Sequence, residues 1–297
     1  GTITTAAKSG ATFGNELLWA LVFSTLACLL LQEAAARLTM VSGKDLGQAI
    51  ANQFENSKYK WLVLSLVLGA IVLGAAAYEM GNLLGAAAGF QLLFDVPSYI
   101  VVPVIGAMAA TILSIPSLKI VSTIMGFSVV IMGIGFLVVA FLIQPSLSEI
   151  VKGAFIPRIP SKPEAGVLVL GLIGTTIVPY NLFLGSGIST LNQTIGEMRF
   201  GLAIAILLGG LFSMAVLVVG TSVVGSFSFE ELSSALQQKI GPLGKYLLGF
   251  GLFAAGFTST ITAPLAASIT LKSLFGNKTP EKWKPGSFNF RIGWLVV

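Results

Sequence analysis

The 297-residue sequence has no histidine and a single cysteine, and only 10% of its residues are charged. Without histidine it lacks the commonest metal ligand and the commonest carrier of protons near neutral pH. Cys28 cannot form an internal disulfide; it sits in an apolar run and reads as a small core side chain. Soluble domains carry roughly 25% charged residues, and here the shortage is concentrated. Residues 99–114, 120–143 and 200–225 contain no Asp, Glu, Lys or Arg. A helix needs about 20 apolar residues to cross a bilayer, and a soluble protein of this length could not cover so many such runs with polar surface. With 55% hydrophobic residues, the chain is expected to be an all-α, polytopic integral membrane protein with lipid as its surrounding partner. The formal charge of +5 comes from scattered basic residues with no aromatic-rich basic patch, which argues against nucleic acid. There is no nucleophile elbow, P-loop, metal-ligating Cys/His cluster or dinucleotide fingerprint, so no enzyme and no cofactor is expected.

What is present is a succession of apolar stretches. Residues 1–14 are small, Thr-rich and too short to span. Full spans are expected at 16–38 and 61–90, a short one at 99–114, and others at 118–143, 166–191, 200–225 and 246–274, with a further span starting at 288–297. Turns are expected at Asp95-Val96-Pro97 and Ile115-Pro116-Ser117. Residues 144–165 read as a polar loop with four prolines, 227–239 as an amphipathic surface helix and 276–286 as a polar connection. The start at Gly1-Thr2, without a signal-peptide pattern, and the stop within Trp294-Leu295-Val296-Val297 suggest a single transmembrane domain, residues 1–297, cut at both ends.

Alternating the spans across a bilayer places Arg37, Lys44, Lys58, Lys60, Lys119, Arg199, Lys272, Lys278, Lys282, Lys284 and Arg291 on one side. Lys152, Arg158, Lys162, Lys239 and Lys245 fall on the other. The richer side is expected to be cytoplasmic, which puts 144–165 and 227–239 outside, in a bacterial-type plasma membrane.

Four features invite chemistry. In GLIGTTIVPYNLFLGSG (171–187), Pro179 removes a backbone donor and clashes with the carbonyl four residues back. Gly174, Thr175 and Thr176 weaken the preceding turn, so the span is expected to break at Val178-Pro179-Tyr180-Asn181. In lipid the freed carbonyls need partners. A cation is one; a hydroxyl of Thr175 or Thr176 is the other, which would make this an ordinary proline kink. Glu79 is the one carboxylate deep within 61–90, with Asn82 three residues on along the same helix face. It is either functional or structurally paired, with Lys8 as the candidate partner. Lys8 itself either faces a cavity or reaches to the interface. Glu33 and Arg37, four apart, are expected to pair. The hydroxyls of Ser259-Thr260-Ile261-Thr262 either line a water path or bond carbonyls one turn back. The small residues of 81–89 permit close helix packing. The segments beginning at Gly1-Thr2 and at Tyr180-Asn181 echo each other faintly, the arrangement expected of matched broken helices in inverted repeats.

Several blocks together resemble the Nramp divalent-metal transporters. Leu30-Leu31-Gln32 through Ala36-Arg37-Leu38, followed by Val41-Ser42-Gly43-Lys44-Asp45-Leu46, resembles their second span and loop. GTTIVPYNLFLGSG resembles the sixth-span motif around Met-Pro-His-Asn, and Phe253 through Thr262 resembles the eighth span. The likeness runs from mid first span to early ninth. It implies a LeuT-like inverted-repeat fold and cation transport through a midplane site by alternating access, with the divalent ion as substrate and proton coupling in typical members. It carries over residue by residue. Gly1 and Thr2 hold the last two positions of the first-span Asp-Pro-Gly-Asn motif, with Thr2 in place of a ligand Asn. Thr175 holds the position whose backbone carbonyl is a ligand, and Val178 that of the Met sulfur. Tyr180 and Gly185 stand where the family has histidines, and Glu79 and Asn82 where it has third-span acids. Thr2, Thr175, Val178 and the unwound backbone beside Pro179 would line the pathway, with Thr2 and Thr175 as metal donors. Asn181 would brace the break and Glu79 would couple or gate. A thioether favours softer transition metals and oxygen donors suit hard ions, so without the sulfur at 178 the substrate is expected to be a divalent cation of either the Mn²⁺/Fe²⁺ type or the Mg²⁺ type. Two further readings stand beside transport: a non-transporting Nramp-like sensor or binding module, and a LeuT-fold carrier of a small organic solute.

Overall fold

The computed structural model describes residues 1–115, 118–189, 193–223, 225–276 and 279–297, and the backbone alone at 118–122, 124 and 125. Among these residues every regular element is helical: α1 (Thr2–Phe13), α2 (Leu18–Ser42), α3 (Leu46–Gln53), α4 (Lys60–Leu93), α5 (Ser98–Leu113), α6 (Leu118–Leu142), α7 (Leu147–Phe155), α8 (Pro163–Thr176), α9 (Pro179–Ile188), α10 (Ile195–Gly220), α11 (Phe229–Ile240), α12 (Leu243–Phe275) and α13 (Phe288–Leu295). The α2, α4, α10 and α12 helices, and α8 and α9 taken together, are each long and apolar enough to cross a membrane; α5 and residues 126–142 of α6 are shorter apolar helices.

The expected spans recur with ends shifted by a few residues, and two polar stretches contain helices that hydropathy misses. The connection after α2 folds into α3, started by a reciprocal cap in which Asp45 accepts from the Gln48 backbone and the Gln48 side chain accepts from the Asp45 backbone. The 144–165 stretch, expected as a loop, contains α7 and the first turn of α8, which opens on Pro163. Residues 276–286 include a short 3₁₀ turn, Pro280–Trp283. Pro116, Ser117 and Lys278 lie outside the described residues, as does the side chain of Lys119.

Backbone-close packing sets the frame. The longest seam joins α4 to α12. A Cβ on Gly89 would overlap the backbone of Phe253 and Gly249, and one on Gly256 would overlap that of Ala86 and Asn82. Only glycine permits this approach. A second seam joins α1 to α10, where Gly10 lies on Leu217 and Gly220 on Ala7. Of the small residues at 81–89, Ala86 and Gly89 face α12, whereas Gly81 and Gly85 meet nothing within 4 Å.

The two ends of the bundle are built differently. At one end α7 rests on the α1–α2 turn. Gly153 sits against the Asn15 carbonyl, the Trp19 Nε1–H donates to the Arg158 carbonyl at 2.9 Å, and the Lys162 ammonium lies 5.9 Å from the Phe13 ring centroid. Leu232 and Leu236 of α11 join the same apolar cluster as Phe13, Leu17 and Leu18. At the other end α9 is tied to α2 and α3. The Thr39 hydroxyl lies 2.8 Å from Ser186 Oγ, and the Leu46 N–H donates to Ser186 Oγ at 2.7 Å, with Ser186 fully buried. Glu33 pairs with Arg37 at 3.3 Å, as expected, and also with Arg199 of α10 at 2.8 Å.

Candidate functional site

The sixth-span segment divides where α8 ends at Thr176 and α9 starts at Pro179. Ile177 and Val178 are the non-helical residues between them, and Val178 is extended (φ −88°, ψ 121°). The break thus includes Val178, the first of the expected residues, and Ile177 before it, while Tyr180 and Asn181 occupy the first turn of α9. Pro179 suits that position because a first-turn residue has no intrahelical partner for its N–H.

The carbonyls freed at the end of α8 are met from other helices. In an unbroken helix the Gly174 and Thr175 carbonyls would accept from residues 178 and 179. Here Tyr78 Oη of α4 donates to the Gly174 carbonyl at 2.8 Å, and Thr2 Oγ1 of α1 donates to the Thr175 carbonyl at 3.0 Å. The hydroxyls of Thr175 and Thr176 do not fill this role. They donate one turn back, to Gly171 and Leu172, both at 2.8 Å. The proline-kink alternative, capped by Thr175 or Thr176, therefore does not describe the break, whose Gly174 and Thr175 carbonyls accept from hydroxyls distant in sequence.

Around the break lies a cavity of about 270 Å³. Thr2, Thr175, Val178, Tyr180, Asn181, Tyr78 and Asn82 line it, and α6, α10 and α12 close it with Met132, Ser213, Thr258 and Ser259 among others. The expected pathway residues Thr2, Thr175, Val178 and Asn181 therefore share one space. Thr2, Ile3 and Thr4 of α1 lie along it, and the start of α9 and the end of α8 converge on it. Helix N-termini carry partial positive charge and C-termini partial negative charge, so the cation-attracting part of the site is the end of α8.

Glu79 stands one step behind this wall. It is buried, with 6% of its surface exposed, and Asn82 Nδ2 donates to its Oε2 at 3.2 Å. The expected alternative partner, Lys8, is exposed on α1. Among the described residues the ion pairs are those of Glu33 with Arg37 and Arg199, and of Lys284 with Glu281. Gly174 contributes its carbonyl, whereas Gly185 lies away from the cavity, with Gln32 of α2 beside it. In the hydroxyl stripe, Thr260 and Thr262 bond carbonyls one turn back at 3.0 and 2.9 Å and Ser259 lines the cavity, as does Thr258 just before the stripe, whose hydroxyl bonds back at 2.8 Å. Cys28 is only partly buried.

Sequence reading passed over Tyr78, Met132 and Ser213. Met132 and Ser213 lie in uniformly apolar spans where period alone does not say which side chain faces inward. Tyr78, next to the one buried acid of its span, had that neighbour as a signal.

A family model described as natural resistance-associated macrophage protein-like matches residues 1–297. The chain belongs to the Nramp family. Among its curated relatives, a divalent metal cation transporter MntH of Aeromonas hydrophila is 26% identical over 314 residues, covering all of this chain and 75% of the relative. A protein of the same name from Klebsiella pneumoniae is 25% identical over 288 residues, covering 92% of this chain and 68% of the relative. A manganese transporter of Eremococcus coleocola, solved as a single-substitution mutant, superposes with a TM-score of 0.80 at 23% identity. That match covers 99% of this chain and 65% of the solved one, so the chain spans just under two thirds of its structural neighbour. The Nramp chain has the LeuT-like fold of that neighbour.

Proposed function

We propose that this Nramp chain is the site-bearing part of a divalent-cation transporter that works by alternating access, with residues 1–297 acting as one transmembrane domain. The observation that carries the reading is the end of the broken helix, where Thr175 lines a cavity with Thr2 of α1 and Asn82, its carbonyl accepts from Thr2, and the buried Glu79 accepts from Asn82. Names of relatives that include divalent metal cation transport support it.

Thr2 and the Thr175 carbonyl are the metal donors. Each keeps a lone pair beyond the bond between them. Val178 and the backbone of Ile177 line the path, Asn181 braces the start of α9, and Glu79 couples or gates. Oxygen donors with a valine at 178 suit a hard ion of the Mg²⁺ type. The end carrying α7 and α11 faces away from the cytoplasm, and the end carrying α3 and Arg199 faces it, in a bacterial-type plasma membrane.

Uptake of Mg²⁺ and Mn²⁺ into proteoliposomes tests this. The unsubstituted protein carries at least one of the two, and Glu79→Gln slows uptake about tenfold or more, equivalent to about 1.4 kcal/mol in the barrier. Flux of neither ion would sink the transport reading. A second reading, an ion-binding module that does not carry its ion, draws on the Thr2–Thr175 bond, which already occupies part of the donor set. Saturable binding without flux would select it. Among the described residues no lysine or arginine lines the cavity, so Lys8 gives no support to the alternative of a small organic solute with an anionic group.

A further inference from the structure

We infer that Tyr78 is a positioning residue that sets the affinity of the site by clamping both halves of the broken helix. This deepens the cation reading above and rests on it. Two contacts carry the inference. The Tyr78 hydroxyl donates to the Gly174 carbonyl at 2.8 Å, holding the C-terminal end of α8. The Tyr78 ring meets the ring of Tyr180, in the first turn of α9, edge-on, with centroids 5.7 Å apart and planes at 83°.

One side chain from α4 therefore spans the interruption. Its hydroxyl takes the place that the Val178 N–H would hold in a continuous helix, so it keeps the backbone from winding back through residue 178. The carbonyl it holds belongs to the residue before Thr175, and the peptide plane between the two is thereby fixed. The ring contact is the favoured edge-to-face geometry for aromatic pairs, with Tyr180 6% exposed and Tyr78 partly buried. Among the described residues the Tyr78 hydroxyl bonds Gly174 and not a proposed metal donor. It acts by preorganising the Thr175 carbonyl, and loosely held donors weaken a site even when all are present.

The affinity of such a site follows from held geometry, so the effect of losing the clamp falls on KM. In proteoliposomes of the kind used above, Tyr78→Phe keeps the ring contact and removes only the hydroxyl. The expected result is a KM for Mg²⁺ or Mn²⁺ raised about tenfold, with the rate at saturating ion within about twofold of the unsubstituted protein. A merely structural tyrosine would lower the amount of folded protein or the maximal rate and leave KM unchanged. Tyr180→Leu, which removes the ring partner from the other half, gives a second measurement on a different side chain, and KM rises there too. Flux of neither ion by the unsubstituted protein overturns the cation reading and this inference with it. Flux by the unsubstituted protein with an unchanged KM in both variants overturns this inference alone.

Discussion

The α4 helix takes part in two regions that differ in almost every physical respect. Toward its C-terminal half, Ala86 and Gly89 lie directly on the backbone of α12, with no room for one more carbon. One to two turns earlier, Tyr78 and Asn82 face a cavity of about 270 Å³, and Tyr78 reaches across to the broken α8–α9 helix. The seam is held by contact between backbones, and the break by single hydroxyls. A packed seam has essentially one arrangement, since interiors of this density deform little. A break held by two hydrogen bonds, each worth about 1 kcal/mol net, has alternatives within thermal reach. The difference teaches a division of labour: α4 and α12 form a frame, and the end of α8 is the part that, on the proposed function, a bound ion would rearrange.

The sharpest way to break this comparison is to fill the seam. Gly256→Leu would drive a side chain into the backbone of Ala86 and Asn82, which cannot yield as a flexible side chain could. The expected cost is about 3 kcal/mol or more, read as a large drop in the thermal unfolding temperature of the purified protein in detergent. Gly81→Ala, in the same helix with open space around it, is the control. It should be neutral or stabilising by up to about 1 kcal/mol, as expected for replacing a helical glycine. If the two substitutions behaved alike, α4 and α12 would not be the frame.

A smaller effect is expected where α9 is anchored. Ser186 is fully buried, and its Oγ meets both Thr39 and the Leu46 N–H. Ser186→Ala leaves the Leu46 N–H without that acceptor, which costs about 2 kcal/mol. Because this anchor ties α9, the second half of the broken helix, to α3, protection of the Leu46 amide against hydrogen exchange should fall as well. Retained protection would mean that α9 is held by its apolar contacts alone.

Both regions were only partly legible in the sequence. The spans were readable because each is long and free of charge, and the break because Pro179 cannot donate within a helix. Their ends were not, since the first turns of α4 and α10 begin with Lys60 and with Ile195-Gly196-Glu197, which hydropathy assigns to loops. The α3 and α7 helices were invisible for the same reason: a short helix at a polar surface carries no apolar run. Glycine content at 81–89 announced close packing, but which glycines would pack depends on where α12 lies. That is why Gly85 and Gly89, one turn apart, have different fates. The caps on the break were the least legible part. Tyr78 and Gly174 are 96 residues apart, and Thr2 and Thr175 are 173 apart. No local pattern encodes such a pairing.

The smallest effect should come from the feature that looks strongest by charge. Glu33 accepts from Arg37 at 3.3 Å and from Arg199 at 2.8 Å, linking α2 to α10. Arg199 is 56% exposed at its side chain, so water and salt screen the pair, and holding the long side chain still costs entropy. Arg37 also remains to satisfy Glu33 if Arg199 is removed. Arg199→Ala is therefore expected to cost about 0.5 kcal/mol, a shift of about 1–2 °C in unfolding temperature that shrinks further at high salt. A loss comparable to that of Gly256→Leu would place part of the frame in this ion pair, and the contrast between a frame of packed backbone and a break of hydroxyl caps would have to be redrawn with charge on the side of the frame.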